Sequence, residues 1–323
     1  MACPIHAVPK GMGRGNKMTT FGDQVYQHGG VPVNAELTTG NVWFVHSVRA
    51  NKTGNNGKKP SQAFATLDEA TNAATANNND IVYIMPNHAE TIASATTWAP
   101  DKAGVQYIGI GLGSDAPELT FSATGSQVIA SGANCLFRNI RFIAGISAVA
   151  KGVAVTAAHV TFERCTWDFG ANTYDFVEML ACHDVDYLTV TNCRFIAENA
   201  TAGAAMAVHL DGSDHARIED NLFTGDYSIT VVGTHSTDAV GKSVMILGNN
   251  IYNDDTASTY GAGISFRVAF TGVIARNMVG CLSSGIAADP ATIDPGSCMM
   301  FENYVQWQID HYGVATLMGI ATT

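Results

Sequence analysis

Seven short segments of this chain repeat one pattern at a nearly fixed interval. They are Phe137–Phe142, Phe162–Trp167, Val190–Phe195, Ile218–Phe223, Leu247–Tyr252, Ile274–Val279 and Met300–Val305. The first position is always apolar, and the sixth is aromatic five times and valine twice. The fourth position reads Ile140, Cys165, Cys193, Asn221, Asn250, Asn277 and Asn303, at intervals of 25, 28, 28, 29, 27 and 26 residues. A repeat of this period means stacked units that share one continuous core.

The content of the repeat selects the kind of stack. Ankyrin and tetratricopeptide units need long helices, whereas these segments are β-branched, aromatic and asparagine-rich. The leucine frame of leucine-rich repeats is missing. A coil of three short strands and three bends fits in this length, so the chain is expected to be an all-β, right-handed parallel β-helix. Successive coils lie ~4.8 Å apart, which puts equivalent side chains in contact. Asn221, Asn250, Asn277 and Asn303 are then expected to pass amide hydrogen bonds along an internal ladder, with Cys165 and Cys193 continuing it as buried thiols.

Each repeat carries a second short strand: Phe176–Leu180, Ala207–Asp211, Ser228–Val232, Gly263–Arg267 and Gly285–Asp289. Val105–Gly111 and Ser126–Ala130 read as earlier rungs, giving about eight coils and a stack of roughly 40 Å. Upstream, the Leu67, Ala70, Ala74 spacing predicts a short amphipathic helix at about 64–76, placed to cap the first coil. Residues 1–40 are glycine-rich and weakly patterned and read as an extended arm, residues 41–305 as the helix proper. Residues 306–323 are apolar without repeat spacing, and read as a cap over the last coil or a contact between subunits.

The run from Phe64–Ala70 to Ile81–Pro86, followed by Tyr107–Gly111 and the asparagine-centred repeats, resembles the pectin-lyase-like right-handed parallel β-helix superfamily. Within it, the chain is most similar to β-helical virion proteins of tailed bacteriophages. The resemblance spans residues 41–305. It implies the fold and leaves activity open, because that superfamily holds lyases, hydrolases and non-enzymatic virion proteins.

Composition narrows the partners. The 323 residues carry 17 basic and 28 acidic side chains, a formal charge of −11, which disfavours nucleic acid. No apolar run approaches the ~20 residues of a membrane span, and the first residues lack the apolar core of a secretory signal, so cytoplasmic synthesis is expected. Seven cysteines without paired short spacings suit buried free thiols better than disulfides or zinc.

Candidate chemistry is sparse. Glycoside hydrolysis needs two carboxylates across a sugar-sized gap, and the second strand offers Glu178 and His209 in equivalent positions, with Asp211 and Asp214 nearby and Arg267 further on. Thr230, Ser265 and Ala287 follow in that column, as on an ordinary solvated sheet face. A calcium cluster of the pectate-lyase kind would have to come from Asp184 and Asp186 with Asp168 or Asp175, which sit in loops without a neighbouring base. Asp254 and Asp255 read as a polar bend. Gly109–Gly113 fails the dinucleotide spacing, and His88-Ala-Glu90 lacks the cysteine pair of a zinc deaminase. Arg49, Lys52, Lys58 and Lys59 form a basic cluster that reads as a solvated loop rather than a nucleic-acid site, with contact to an acidic capsid surface as the alternative. Tyr174, Tyr227 and Tyr260 are candidate sugar platforms.

No metal or cofactor is expected. The first expectation is a non-enzymatic virion protein that decorates or cements a capsid, anchored by its arm to the major capsid protein. By analogy with other β-helical virion proteins it would be a homotrimer. The alternative is a tailspike-like depolymerase, or a glycan-binding spike, acting on a host surface polysaccharide.

Overall fold

In the computed structural model, residues 38–49, 54–197, 203–255, 261–281, 292–307 and 316–318 are described. They form three sheets. The first has ten parallel strands, from Val42–Val45 to Met299–Phe301. The second has ten, from Ala89–Ile92 to Thr316–Met318, and the third has seven, from Val128–Ala130 to Ile293–Asp294. The chain visits the sheets in the order first, second, third and then starts again one strand along. This is a parallel β-helix with seven complete three-stranded turns and partial turns at both ends. Its hand is the right-handed one, which parallel crossovers take almost without exception.

The core is filled by columns of like side chains. Tyr107, Phe137 and Phe162 stack at ring separations of 5.2 and 4.9 Å, and Phe142, Trp167, Phe195 and Phe223 at 4.9, 4.4 and 4.8 Å. All seven rings are fully buried. Offset stacking adds to the area these rings bury.

The corner between the first and second sheets explains the repeat. From Leu136–Arg138 onward one residue there sits in the left-handed region on each turn: Asn139, Arg164, Asn192, Asp220, Gly248, Arg276 and Glu302, with φ between 54° and 66°. Its N–H donates to a carbonyl of the next turn, as from Arg164 to Thr191 O at 3.1 Å. The residue after it points inward. Each inward asparagine donates Nδ2 to a backbone carbonyl of the preceding turn, Asn221 to Val190 O at 2.9 Å and Asn277 to Ile246 O at 2.9 Å. Nδ2 also donates to the next Oδ1: Asn221 to Asn249 at 3.0 Å, Asn249 to Asn277 at 3.0 Å, Asn277 to Asn303 at 2.9 Å. Each of those Oδ1 atoms takes a second bond from the backbone N–H of the ladder asparagine one turn earlier. Cys165 and Cys193 extend the column as expected, their thiols reaching Phe137 O at 3.4 Å and Phe162 O at 3.6 Å.

One rung of the ladder is corrected. The inward residue is Asn249, buried, and Asn250 is exposed on the second sheet beside Leu222 and Met278. Aligning Tyr252 with the aromatics of other turns shifts this repeat by one residue. Burial instead puts Ile251 beside Phe223, and Ile246 beside Ile218. With Asn249 in place the intervals from Cys165 to Asn277 are all 28 residues.

The predicted helix forms at Leu67–Ala73, shorter than its pattern. Thr66 and Glu69 make a reciprocal capping box, and Leu67 and Ala70 enter the core beside Trp43 and Val45. Thr71 is buried, with its hydroxyl 3.0 Å from Tyr107 Oη and accepting from Trp98 Nε1 at 3.0 Å. His88 pins the same corner, accepting from Ser47 N at 3.0 Å through Nδ1 and meeting Glu90 Oε2 at 3.2 Å through Nε2, while Glu90 accepts Leu67 N. His88-Ala-Glu90 is thus a structural pin.

Among the described residues six cysteines are free thiols and five of them are buried. Burial pushes the Cys281 thiol up to about 12. No helix of the described residues is long and apolar enough to cross a membrane. Residues 1–37 of the proposed arm, Gly285–Asp289 and Tyr260 lie outside the described residues; the third sheet's last described strand is Ile293–Asp294.

The register makes a sharp mutational contrast. Asn249→Ala strips a buried amide from four hydrogen bonds and should cost about 2–4 kcal/mol in denaturant unfolding. Asn250→Ala, one residue away, should stay within about 0.5 kcal/mol.

Candidate functional site

The titratable side chains of the third sheet gather on its outer side. The register differs from the expected one. His209 pairs with Ala181, and Glu178 pairs with Lys151 and Met206. Strict alternation fails at Met179-Leu180, both of which enter the core, so a position count across this strand misplaces Glu178 relative to His209. Of the residues expected in their column, Thr230 continues the Glu178 column, and Ser265 the His209 column by way of Gly233.

The side chains meet nonetheless. His209 Nδ1 lies 3.1 Å from Glu178 Oε1, and its Nε2 lies 2.8 Å from Asp238 Oδ2. Asp211 Oδ2 lies 2.9 Å from His183 Nδ1, and His183 Nε2 lies 3.0 Å from Lys151 Nζ. Lys151 Nζ is 3.9 Å from Glu178 Oε2, an oxygen that is buried without a hydrogen bond. His235 completes the group with its ring at 90° to that of His209 and Nε2 3.9 Å from Glu178 Oε1. Asp238 also accepts the His235 N–H, and Asp211 Oδ1 accepts Ala239 N at 2.7 Å, so the network fastens the stretch from His235 to Ala239 onto the sheet.

The electrostatics follow from this geometry. Burial opposes charge on His209, but its bonds to Glu178 and Asp238 outweigh that and hold its pKa above 6.5. Burial likewise works against the Glu178 carboxylate, and His209, Lys151 and His183 overcome it, so the pKa falls below the usual value. Asp211 is lowered in the same way by His183 and the Ala239 N–H, against its burial. The side chains of His209, Asp238 and Glu178 are 4%, 9% and 14% exposed.

The donor atoms of Glu178, His183 and His209 lie within 4.8 Å of one another, which is ligand spacing for a metal ion. The bonding pattern fits one poorly. Both nitrogens of His209 already face carboxylates, and the Lys151 ammonium sits against the free nitrogen of His183. Asp168, Asp175, Asp184 and Asp186 do not come together in such a cluster. Asp168 lies on the second sheet, and Asp175 caps the Ala148 N–H at 2.6 Å. The Arg267 backbone N–H donates to Thr234 Oγ1 at 2.9 Å. Asp255 is buried, and with Asp254 it adds to burial in raising Asp226 to about 6.

Lys151, His183, His235 and Asp238 were missed by pattern reading. Lys151 is found by counting in register from Glu178, whereas His235 and Asp238 come from a loop whose path no periodicity gives. The expected platforms are also corrected. Tyr227 is fully buried, its hydroxyl donating to Phe195 O, because Tyr227 follows an inward step at Gly225. Tyr174 is half-buried against the core. Among the described residues the exposed rings include Tyr187, Phe301, Tyr252 and Tyr304, and the last two with Met278 line a groove of about 150 Å³ on the second sheet. Of the basic loop, Lys58 lies 3.3 Å over the Trp43 ring and donates to Asn41, and Lys52 is outside the described residues.

No model of a known protein family matches the chain, and no curated protein matches it. Among solved structures, it is similar to the crystal structure of pectate lyase Bsp165PelA from Bacillus sp. N165 in complex with trigalacturonate. The two are 12% identical, with a TM-score of 0.43 over 94% of this chain and 91% of that one.

The cluster has a calculable pH signature. His209, with a raised pKa, contributes stability that is complete below pH ~6.5 and fades as pH rises through its folded value. Glu178 and Asp211, with lowered pKa values, contribute above pH ~4.5 and fade on acidification. Thermal unfolding followed against pH should therefore give the network its largest effect between about pH 5 and 6.5. His209→Phe leaves two buried carboxylates facing each other and should cost about 3–5 kcal/mol within that window.

Proposed function

We propose that the protein is a non-enzymatic structural component of a bacteriophage virion, displayed on the capsid surface and anchored by residues 1–40. The observation that carries the non-enzymatic half is that His209 spends both ring nitrogens on Glu178 and Asp238 inside the cluster. Catalytic carboxylates must face a substrate gap, and these two face each other across an imidazole. Their partners are protein groups throughout, and the cluster ties down a loop. Support for the virion half comes from the resemblance of the repeats to β-helical phage proteins and from the glycine-rich first forty residues. A homotrimer with contacts to the major capsid protein belongs to the same reading.

Incubation with host capsule or lipopolysaccharide should release no reducing ends, and Glu178→Ala or Asp211→Ala should leave that baseline unchanged. Turnover lost in either variant would replace the structural reading with the depolymerase. The isolated protein should bind expanded phage shells and lose at least about 90% of that binding when residues 1–40 are removed, since an anchor supplies most of the contact.

A second reading has its own observation. Tyr252 and Tyr304 flank a shallow groove, and the Tyr252 ring lies over Gly280, where an added Cβ would come within 3.3 Å of it. Exposed rings beside a groove suit non-hydrolytic binding of a neutral glycan face. If the protein binds host glycan this way, Tyr252→Ala with Tyr304→Ala should weaken retention on a glycan column by about tenfold, the worth of one or two stacking contacts.

A further inference from the structure

Elsewhere on the second sheet, the outward column runs Glu118, Arg141, Thr166, Arg194 and Leu222 on successive turns. Thr166 therefore has an arginine about 5 Å away on each side along the stack. Arg164 stands two residues before it, in the left-handed corner with φ 54°. These three arginines, Thr166, Ser114 and Asp168 line a groove of about 390 Å³. A short hydroxyl side chain is thus walled by three long cations, on a chain whose net charge is −11.

Much of their donor capacity is unspent. Arg141 gives Nη1 to Glu118 at 2.8 Å. Among the described residues Arg164 reaches only its neighbour Glu163, at 3.6 Å, and Glu163 is already held by Arg138 at 2.7 Å. Arg194 is exposed and makes no side-chain hydrogen bond or ion pair among the described residues. Each guanidinium carries five donors in a planar fork suited to oxyanions. The groove also holds the Asp168 carboxylate, two residues along the strand from Thr166, whose Oδ1 accepts the Phe169 N–H at 2.8 Å and whose charge repels a second anion.

We propose that this groove binds a phosphate or sulfate monoester of a small hydroxylated molecule, its oxyanion over Thr166 between Arg164 and Arg194 and its hydroxyls toward Asp168. A tetrahedral oxyanion ester presents three terminal oxygens in three directions, which suits guanidiniums that converge from different sides better than the planar pair of a carboxylate. The groove also has room beyond the oxyanion for the group that bears it. This goes beyond the virion reading and does not depend on it.

The test is calorimetric titration of the full chain with glucose 6-phosphate, inorganic phosphate, inorganic sulfate, glucose and chloride at matched ionic strength. Saturable one-to-one binding of glucose 6-phosphate is expected, tighter than inorganic phosphate, with no signal from glucose or chloride. Arg164→Glu with Arg194→Glu should weaken it by at least about tenfold, the loss of one or more charge-assisted bonds. Arg217→Glu, the same kind of charge change on the first sheet, should not. The milder Arg194→Ala, checked by its melting curve, should weaken binding in a folded protein. No saturable binding of either oxyanion, or equal loss in Arg217→Glu, overturns the site. Equal affinity for inorganic phosphate and its ester overturns the hydroxyl end of the groove.

Discussion

Everything in this molecule rests on one corner. A parallel stack must turn the chain three times per rung without leaving buried backbone groups unpaired. Between the first and second sheets the turn is made by a single left-handed residue, and the inward side chain after it satisfies the groups the turn exposes. Asparagine does this fully, because one amide both donates to a carbonyl and accepts a backbone N–H. A thiol donates only, so Cys165 and Cys193 perform half the task, and do so in rungs already locked by stacked aromatic rings. From Leu136–Arg138 onward the corner keeps this one-residue length, which holds successive rungs in phase, whereas the turn before it carries residues 110–117 there.

That rigidity explains what could be read from residues alone. The fold class, the helix before the first rungs and most of the ladder were legible because a one-residue corner preserves spacing. The single slip, Asn250 for Asn249, arose where two asparagines stand side by side and Tyr252 imitates an aromatic column. Burial decides between them, and burial is a property of the stack, invisible within one repeat. The third sheet was harder. Its corners vary in length, and the doubled inward step at Met179-Leu180 breaks the period-two count. Glu178 and His209 were paired by the wrong register, although their side chains do touch, and Lys151, His183, His235 and Asp238 stayed hidden.

The two outer faces handle charge in opposite ways. On the third sheet, acids and bases are matched until little is left to offer a ligand, and the result is a fastened loop. On the second sheet, guanidiniums crowd around a threonine with few acids to answer them. The difference comes from what stands on neighbouring rungs, since identical strand geometry presents both sets. A β-helix writes its surface one column at a time, so a single substitution alters the neighbours above and below it as well.

The final strand has a different significance. Thr316–Met318 lies antiparallel on Asn303–Trp307, whereas every earlier neighbour in that sheet is parallel. An open parallel edge invites the next molecule to continue the stack, the route by which strand proteins polymerise into fibres. Reversing direction at the last rung spends those backbone groups within the same chain. The sheet then ends on Thr316–Met318, whose direction is opposite to that of the coil strands, so a further coil in the parallel register of the stack does not find its template there.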